Sequence, residues 1–186
     1  HCSPCGKILR RKKQECKRKM VSPLGVVFLF GFLSLCGDIV YEGGRSVMGP
    51  YLALLGAGAF SVGLVSGAGE FFGYGLRIVF GYWADRKRAY WPLTVLGYSL
   101  ILAIPLMAFC RSWQAAAGLI LLERLGKAIR SPGRDVLLAQ AARSVGTGFG
   151  FGLHEALDQI GAIVGPLCFS LLLVRGYSYR DGFNLL

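Results

Sequence analysis

Charged side chains are scarce in this sequence. Only 17% of the 186 residues are charged, whereas 54% are hydrophobic, and the mean hydropathy is +0.51. A soluble domain of this composition would carry more apolar surface than one core can bury. The 27 glycines point the same way, because glycine lets transmembrane helices approach one another closely. The scarcity of charge therefore argues against a cytosolic enzyme and favours a protein that lies in the lipid bilayer.

Acidic residues are fewer still, with 10 against 21 lysines and arginines. A net charge of +11 could indicate a nucleic-acid partner, but eight of the basic residues lie in positions 1–19, against a single acid there, Glu15. This clustering predicts a basic cytoplasmic leader over residues 1–19 that touches anionic lipid headgroups, and no nucleic-acid partner. Since Met20 can be a natural start, the leader is also open to being non-native sequence.

The sequence lacks the motifs of several enzyme and cofactor classes. Cys2, Cys5 and Cys16 have no fourth ligand at a customary spacing, so no metal site is predicted. No glycine-rich stretch ends in the Lys-Ser or Lys-Thr of a phosphate-binding loop. No serine lies close enough to His154 along the chain to form a nucleophile and base pair with it. The sequence therefore predicts neither an enzyme nor a bound cofactor.

Long apolar runs divide the rest of the chain into segments that are long enough to cross a bilayer as helices. They predict an all-α, polytopic transmembrane helix bundle with five spans and the start of a sixth. Lysines and arginines in the short loops, together with the leader, place the N-terminus in the cytoplasm. Residues 20–186 are expected to form one truncated bundle in the cell membrane, with spans at about 24–54, 60–83, 91–110, 113–141 and 149–174.

Ionisable side chains inside a membrane span are costly, so each one is a functional hypothesis. In the first helix, Asp38, Glu42 and Arg45 share a face at helical spacing, where the arginine could offset the carboxylates. The alternative is that these residues mark the outer end of the helix at the lipid headgroups.

A stripe on the second helix combines small and polar residues. Its members are Gly63, Gly67, Glu70, Tyr74, Arg77 and Gly81. We expect this stripe to face protein, with close packing at its small end. Glu70 lies deep in the span and needs a partner, either Arg77 or a basic residue of the fourth helix. A purely structural buried ion pair is the alternative.

The fourth helix has a polar face that lipid would not tolerate. The face consists of Glu123, Lys127, Arg130 and Arg134, with Arg124 beside it. Because long cationic side chains can reach the headgroups from near a helix end, Arg134 and Asp135 are expected at the cytoplasmic boundary. Glu123 and Arg124 are then the better candidates to line a cavity.

The fifth helix places His154, Asp158, Gly161 and Gly165 on one face, with Glu155 beside it. A zinc-hydrolase helix would need a second histidine, which is absent, so no metal is predicted here. A carboxylate that adjoins a water-filled cavity inside the membrane is instead suited to relaying protons.

The connection between the second and third helices resembles the signature loop of the major facilitator superfamily of transporters. It reads Gly81-Tyr82-Trp83-Ala84-Asp85-Arg86-Lys87-Arg88. Gly81, Asp85 and Arg86 match the family's pattern, and Arg88 stands where the family has a glycine. The resemblance implies that Asp85 holds a neighbouring helix end and so locks the outward-facing state.

Two further segments are similar to the family in the same order along the chain. Arg124 falls where the family carries a fourth-helix arginine implicated in proton coupling. The run from Gly161 through Gly165 to Pro166 resembles the fifth-helix motif associated with antiporters. The chain as a whole resembles uncharacterised prokaryotic permeases of this superfamily.

The resemblance implies two six-helix halves with a solute path between them and alternating access by rocking. This chain would be most of the N-terminal half, and its partners would be the C-terminal half of the same protein, the lipid bilayer, a small-molecule substrate and protons. The implied activity is proton-coupled export of a small solute or drug-like compound. Proton-coupled uptake by symport and a non-transporting membrane scaffold or receptor are the open alternatives. The residues expected to line the path or to couple it to protons are Asp38, Glu42, Arg45, Glu70, Arg77, Glu123, Arg124, Lys127, His154, Glu155 and Asp158.

Overall fold

The computed structural model describes residues 22–186. The basic leader predicted over residues 1–19 lies outside the described residues. The described part of the chain is helical and contains no strand, which confirms the all-α prediction. Its helices are α1 (Pro23–Leu54), α2 (Ala59–Lys87), α3 (Tyr90–Phe109), α4 (Trp113–Ala142), α5 (Thr147–Val174) and α6 (Tyr179–Leu185).

Three of these helices, α1, α3 and α5, are long and apolar enough to cross a membrane by their length and composition. The helices α2 and α4 are of similar length, with 29 and 30 residues. Charged residues make these two less apolar. The predicted total of five spans and the start of a sixth therefore stays a prediction.

The third helix is irregular. It consists of an α-helical part, Tyr90–Ser99, and a second part in which the 3₁₀ turns Leu100–Leu102 and Met107–Phe109 flank the short α-helix Ala103–Leu106. Pro105 lies in this second part and has no backbone N–H to donate. Tighter 3₁₀ turns are a usual accommodation where the regular hydrogen-bond ladder is interrupted.

The helix α5 crosses α1 at backbone distance. A Cβ added at Gly161 would lie 2.7 Å from the carbonyl oxygen of Leu35, and one at Gly165 would lie 2.8 Å from the amide nitrogen of Gly43. The helix α3 approaches α4 in the same way, since a Cβ at Gly97 would lie 2.6 Å from the carbonyl oxygen of Gly126. Small residues therefore set the positions of α5 and α3 around the helix pair α1 and α4.

The close packing predicted at the small end of the α2 stripe is wrong for the described residues. A Cβ added at Gly63 or Gly67 would meet no atom within 4 Å. The helix α2 instead approaches α4 at Gly69 and Gly73, where an added Cβ would lie 3.3 and 3.9 Å from side-chain carbons of Arg124. The packing face of α2 is thus offset from the polar stripe, which faces a groove.

Aromatic side chains join α6 to the rest of the bundle. Tyr51, Phe169 and Phe183 are at most 1% exposed, and the ring of Phe183 packs edge-on against both others, with ring centroids 4.9 Å from Tyr51 and 5.3 Å from Phe169. The Tyr51 hydroxyl donates a hydrogen bond of 2.7 Å to the carbonyl of Met107. This cluster holds α1, α3, α5 and α6 together at one end of the bundle.

A capping box begins α6. The Ser178 hydroxyl accepts a hydrogen bond from the Asp181 amide at 3.3 Å, and the Asp181 carboxylate accepts one from the Ser178 amide at 3.0 Å. The Ser178 hydroxyl also donates a hydrogen bond of 2.7 Å to this carboxylate, and that bond, with the one from the Ser178 amide, lowers the pKa of Asp181 below its usual value. Because the pKa is lowered in the folded state, the stabilisation is complete above the unfolded pKa and is lost as the pH falls through the folded pKa.

We expect the substitution Ser178→Ala to speed amide hydrogen exchange in Tyr179–Leu185 roughly fivefold, since losing an N-cap serine costs about 1 kcal/mol. Exchange followed by mass spectrometry measures this directly. The control Ser144→Ala removes a serine whose hydroxyl donates to the Ala141 carbonyl and caps no helix, so it should leave α6 unchanged. Equal exchange in both variants would mean that the capping box does not hold α6.

Candidate functional site

A polar groove with a volume of about 380 Å³ lies between α1, α2, α4 and α5. All four helices contribute ionisable side chains to it, and we call it the charged groove. Its lining is Asp38, Glu42, Arg45, Tyr74, Arg77, Lys127, Arg130, Ser131, Arg134, Asp135, Glu155, Asp158, Gln159 and Ala162. Residues that share a face on each helix in the sequence therefore line one common surface.

A neighbouring cavity of about 310 Å³ shares Arg45 with the charged groove. Two further residues of the predicted path, Glu70 and Arg124, line this second cavity. His154 and Glu123 are buried, at 3% and 1% exposed, and line neither of the two. The predicted path residues are therefore divided between two adjoining cavities and the protein interior behind them.

Glu70 is the centre of an ion-pair network that joins three helices. Its Oε1 atom lies 2.9 Å from Arg45 Nη2 on α1 and 3.0 Å from Arg124 Nη1 on α4. Glu42 extends the network, because its Oε1 lies 3.5 Å from Arg45 and 3.8 Å from Lys127 Nζ. We call these five residues the Glu70 cluster.

The sequence offered two candidate partners for Glu70, a basic residue of the fourth helix and Arg77. The fourth-helix residue Arg124 is the one that contacts Glu70. The other candidate, Arg77, makes no ion pair with Glu70. Its guanidinium lies over the Tyr74 ring, 4.7 Å from the centroid, and its buried Nε has no hydrogen-bond partner. Two helical turns on one helix separate residues by roughly 10 Å, which explains why Glu70 pairs across to Arg124 instead.

The two carboxylates of α1 turn towards α4. Asp38 Oδ1 lies 3.9 Å from Arg130 Nη2, and Glu42 pairs with Lys127 as well as with Arg45. Of these two carboxylates, Arg45 therefore pairs only with Glu42, and Asp38 pairs with Arg130 of another helix. Both carboxylates therefore line the charged groove, and their position relative to the lipid headgroups stays a prediction.

A second set of charges surrounds Asp158, and we call it the Asp158 cluster. Asp158 Oδ2 lies 3.5 Å from Arg134 Nη1 and 3.6 Å from His154 Nε2. Arg134 also lies 3.1 Å from Asp135 and donates a hydrogen bond of 3.0 Å to the Ser34 hydroxyl. Within residues 22–186, neither ring nitrogen of His154 makes a hydrogen bond and Asp158 Oδ1 is buried without one. Asp158 is thus shared between a fixed cation and a titratable base.

Of the two α4 residues expected to line a cavity, Arg124 lines the second cavity, and the expectation is wrong for Glu123. Arg134 and Asp135 line the charged groove, whereas both carboxylate oxygens of Glu123 are buried without a hydrogen bond, 3.9 Å or more from the Arg124 guanidinium Nε. The groove continues along α4 because α1 and α5 place Ser34 and Asp158 beside Arg134.

Aromatic side chains support the cations of α4, and their role was missed in the sequence. Lys127 Nζ lies 3.6 Å from the centroid of the Tyr41 ring, and the Arg124 guanidinium lies 5.1 Å from the same centroid. The Arg130 guanidinium lies 4.9 Å from the centroid of Tyr98. Tyr41 falls one helical turn from Asp38, a spacing that could have indicated its place beside the groove.

The loop motif lies at the end of α2, away from the charged groove. Asp85 Oδ1 accepts a hydrogen bond of 3.1 Å from the hydroxyl of Tyr90, the first residue of α3. Arg86 donates one of 2.8 Å to the Tyr82 hydroxyl, and an added Cβ at Gly81 would be in ordinary contact with Pro132, at 3.6 Å. The locking role of Asp85 stays a prediction.

Arg88 ends α2 in the left-handed conformation, with φ 51° and ψ 32°. In the major facilitator superfamily, which this loop resembles, the position has a glycine. A residue with a side chain is strained in this conformation. We expect Arg88→Gly to raise stability by up to about 1 kcal/mol, because relief of strain exceeds the added chain entropy. The control Lys87→Gly, at a helical position, should lower stability. Thermal unfolding of both variants measures the difference, and a loss of stability in Arg88→Gly would contradict the expected strain.

The glycines and the proline of the fifth-helix motif do not line the charged groove, although Ala162 between them does. Gly161 and Gly165 lie against Leu35, Ile39 and Gly43 of α1, and Pro166 follows within the same helix. The motif therefore fixes the crossing of α1 and α5, which in turn positions the carboxylates of both helices.

Comparisons with known proteins place this chain beside uncharacterized relatives. An uncharacterized protein of Mycobacterium bovis is 44% identical over 171 residues, which is 91% of this chain and 42% of that protein. One of Mycobacterium tuberculosis has the same values. An uncharacterized MFS-type transporter of Methanocaldococcus jannaschii is 34% identical over 157 residues, which is 83% of this chain and 39% of that protein.

The chain spans less than half the length of these curated relatives, 42% for the mycobacterial proteins. No protein-family model matches it, and no solved structure matches it. The helices α1, α3 and α5 have the length and composition of membrane spans, and together with the archaeal transporter relative they indicate a membrane protein.

Proposed function

We propose that this chain is the N-terminal half of a secondary transporter of the major facilitator superfamily, which moves a small solute across the cell membrane by alternating access. The charged groove is the observation that carries this function. It collects acids and bases from four helices on one surface, and such a surface in a membrane protein faces water or a solute rather than lipid.

The other faces of the bundle fit a lipid environment. Large apolar side chains are exposed on the same helices, among them Phe32 at 60%, Phe60 at 81% and Ile163 at 67%. Apolar outer faces around a charged groove are the arrangement expected of a solute path inside a bilayer. The archaeal MFS-type relative supports the same family, and a match over 39% of its length fits one of two six-helix halves.

Proton coupling is assigned to the Asp158 cluster. A proton on Asp158 removes the charge that holds Arg134 and His154, while Arg134 keeps its contacts with Asp135 and Ser34. Loading and releasing this proton would therefore weaken and restore the ion pair between α4 and α5, while the contact of α4 with Ser34 on α1 persists. Export is the proposed direction, because Gly161 to Pro166 resembles the antiporter motif. Uptake would use the same groove with the opposite direction of flux.

Solute-dependent proton movement tests this function. The full-length protein is reconstituted in liposomes that enclose a pH-sensitive dye, and the small-molecule fraction of a bacterial extract is added at an imposed pH gradient. We expect proton movement that depends on both protein and extract, and its sign distinguishes export from uptake. Liposomes without protein are the control. No extract-dependent movement in either direction would contradict transport and favour a membrane scaffold.

A further inference from the structure

Within the charged groove, nearly every charge has an opposite charge as its neighbour. The acids and bases of α1 and α4 pair with one another, and Asp158 of α5 pairs with Arg134. Among residues 22–186, two charged groups of the groove lining have no oppositely charged neighbour within ion-pair distance. These are the guanidinium of Arg77 and the carboxylate of Glu155.

Arg77 lies on the α2 side of the groove, held against the ring of Tyr74. Stacking fixes the plane of a guanidinium while leaving its edge free to donate hydrogen bonds. Its buried Nε donates to no acceptor of the described residues. Arg77 therefore presents an oriented, unused cation to the groove, a suitable partner for a carboxylate or another anionic group.

Glu155 lies on the α5 side of the groove. Its Oε1 accepts a hydrogen bond of 3.0 Å from Gln159 Nε2, one helical turn away, and Gln159 lines the groove too. The amide orients the carboxylate but leaves its charge uncompensated. Glu155 therefore presents an oriented anion, a suitable partner for an ammonium group.

The two unpaired charges flank the groove on different helices. The helix α2 packs on α4, and α5 packs along α1, so the contacting pair α1 and α4 lies between them. Packed helices have axes about 8–10 Å apart, which leaves room for a small molecule between the α2 and α5 side chains. The groove volume of about 380 Å³ agrees with that size.

We propose that the solute of the charged groove is a small zwitterion, whose anionic group binds Arg77 and whose ammonium group binds Glu155. This inference rests on the proposed transport function and narrows its substrate class. A solute with both charges leaves no unpaired charge in the groove, whereas a neutral or singly charged solute leaves at least one. Unpaired charges in a membrane interior are costly, so the zwitterion is favoured.

Sets of small probes, matched in length within each set, test the inference. The probes are ω-amino acids of increasing chain length, each compared with the carboxylate, amine and alcohol that have the same number of carbons. Binding to the detergent-solubilised full-length protein is measured by thermal stabilisation, and transport by proton movement in liposomes. We expect an ω-amino acid of one length to bind more tightly than its three counterparts.

Two variants assign the ends of the solute. Arg77→Gln should remove the preference for the ω-amino acid over the amine, which lacks the anionic group. Glu155→Gln should remove the preference for the ω-amino acid over the carboxylate, which lacks the ammonium group. We expect each to weaken binding about tenfold, as for the loss of a charge-assisted hydrogen bond. The matched control Arg143→Gln removes a cation that follows α4 outside the groove and should bind like the unmodified protein. If both groove variants also bind like it, the assignment of the two charges is wrong.

The outcomes separate this inference from the proposed function. Tighter binding of a singly charged or neutral probe at every length overturns the zwitterion inference alone. Extract-driven proton movement without a response to any ω-amino acid does the same. If neither the extract nor any probe moves protons, the inference fails together with the proposed function.

Discussion

We expect the substitution Asp158→Asn to abolish the coupling of transport to protons while leaving the fold intact. Asparagine has the shape of aspartate but cannot load a proton, so Arg134 and His154 lose the shared charge between them. Transport driven by a pH gradient should fall by roughly a hundredfold or more, the scale on which removal of a proton-transfer group acts. Solute exchange at equal pH should persist, because it needs no net proton movement.

The matched control is Asp135→Asn. Asp135 also pairs with Arg134, at 3.1 Å, but its side chain is 50% exposed and makes no contact with His154. This variant should retain most of the pH-driven transport. Full activity in Asp158→Asn would remove Asp158 from the coupling mechanism, and equal losses in both variants would point to Arg134 as the important group.

A second large effect is expected at the crossing of α1 and α5. In Gly165→Ala, the new methyl group would meet the Ile39 carbonyl oxygen and lie 2.8 Å from the Gly43 amide nitrogen. Both obstacles are backbone atoms, so the helices must move apart. We expect a loss of roughly 3 kcal/mol, at the upper end of what overpacking usually costs. Unfolding of the purified protein by heat or by denaturing detergent measures the loss.

Gly152→Ala is the control on the same helix. A Cβ at Gly152 would meet no atom within 4 Å, and alanine has the higher helix propensity. This variant should be as stable as the unmodified protein or slightly more stable. If the two alanine variants have equal stability, close contact at Gly165 does not hold α5 against α1.

The helices could be predicted from the sequence because apolar runs and breaks determine them locally. The predicted segment 113–141, for example, corresponds to α4, Trp113–Ala142. The serine before α4 caps it, as Ser112 Oγ accepts from the Ala115 amide at 3.4 Å. Whether each helix crosses a membrane depends on an environment that helical periodicity does not report, and the number of spans stays a prediction.

The members of the charged groove could be predicted in part, but their partners could not. Helical spacing identifies residues on one face, such as Asp38 and Glu42, from a single helix at a time. Pairing depends on how helices cross, and those crossings are set by glycine contacts such as the one at Gly165. The sequence therefore left Arg77 as a candidate partner of Glu70, although Arg124 on α4 lies 3.0 Å away.

The sequence also did not determine how far the charged groove extends along α4. Arg134 was expected at the cytoplasmic boundary because lysines and arginines commonly extend to the headgroups from helix ends. Ser34 and Asp158 lie on other helices and contact Arg134, which lines the charged groove. Its place at the cytoplasmic boundary stays a prediction. Such long-range contacts join residues 100 positions apart in the case of Ser34 and Arg134, and no local pattern encodes them.

If the charged groove is a water-filled path inside the membrane, water-soluble reagents reach the side chains that line it. Two neighbouring positions on α5 test it, in a full-length protein from which every native cysteine has been removed. Ala162→Cys places a thiol in the groove lining, and Ile163→Cys places one on an apolar face where the native side chain is 67% exposed. Labelling by a charged, membrane-impermeant thiol reagent is measured in both orientations of membrane vesicles. We expect labelling of Ala162→Cys alone. Equal labelling of both variants, or no labelling of Ala162→Cys in either orientation, would show that the groove is not such a path.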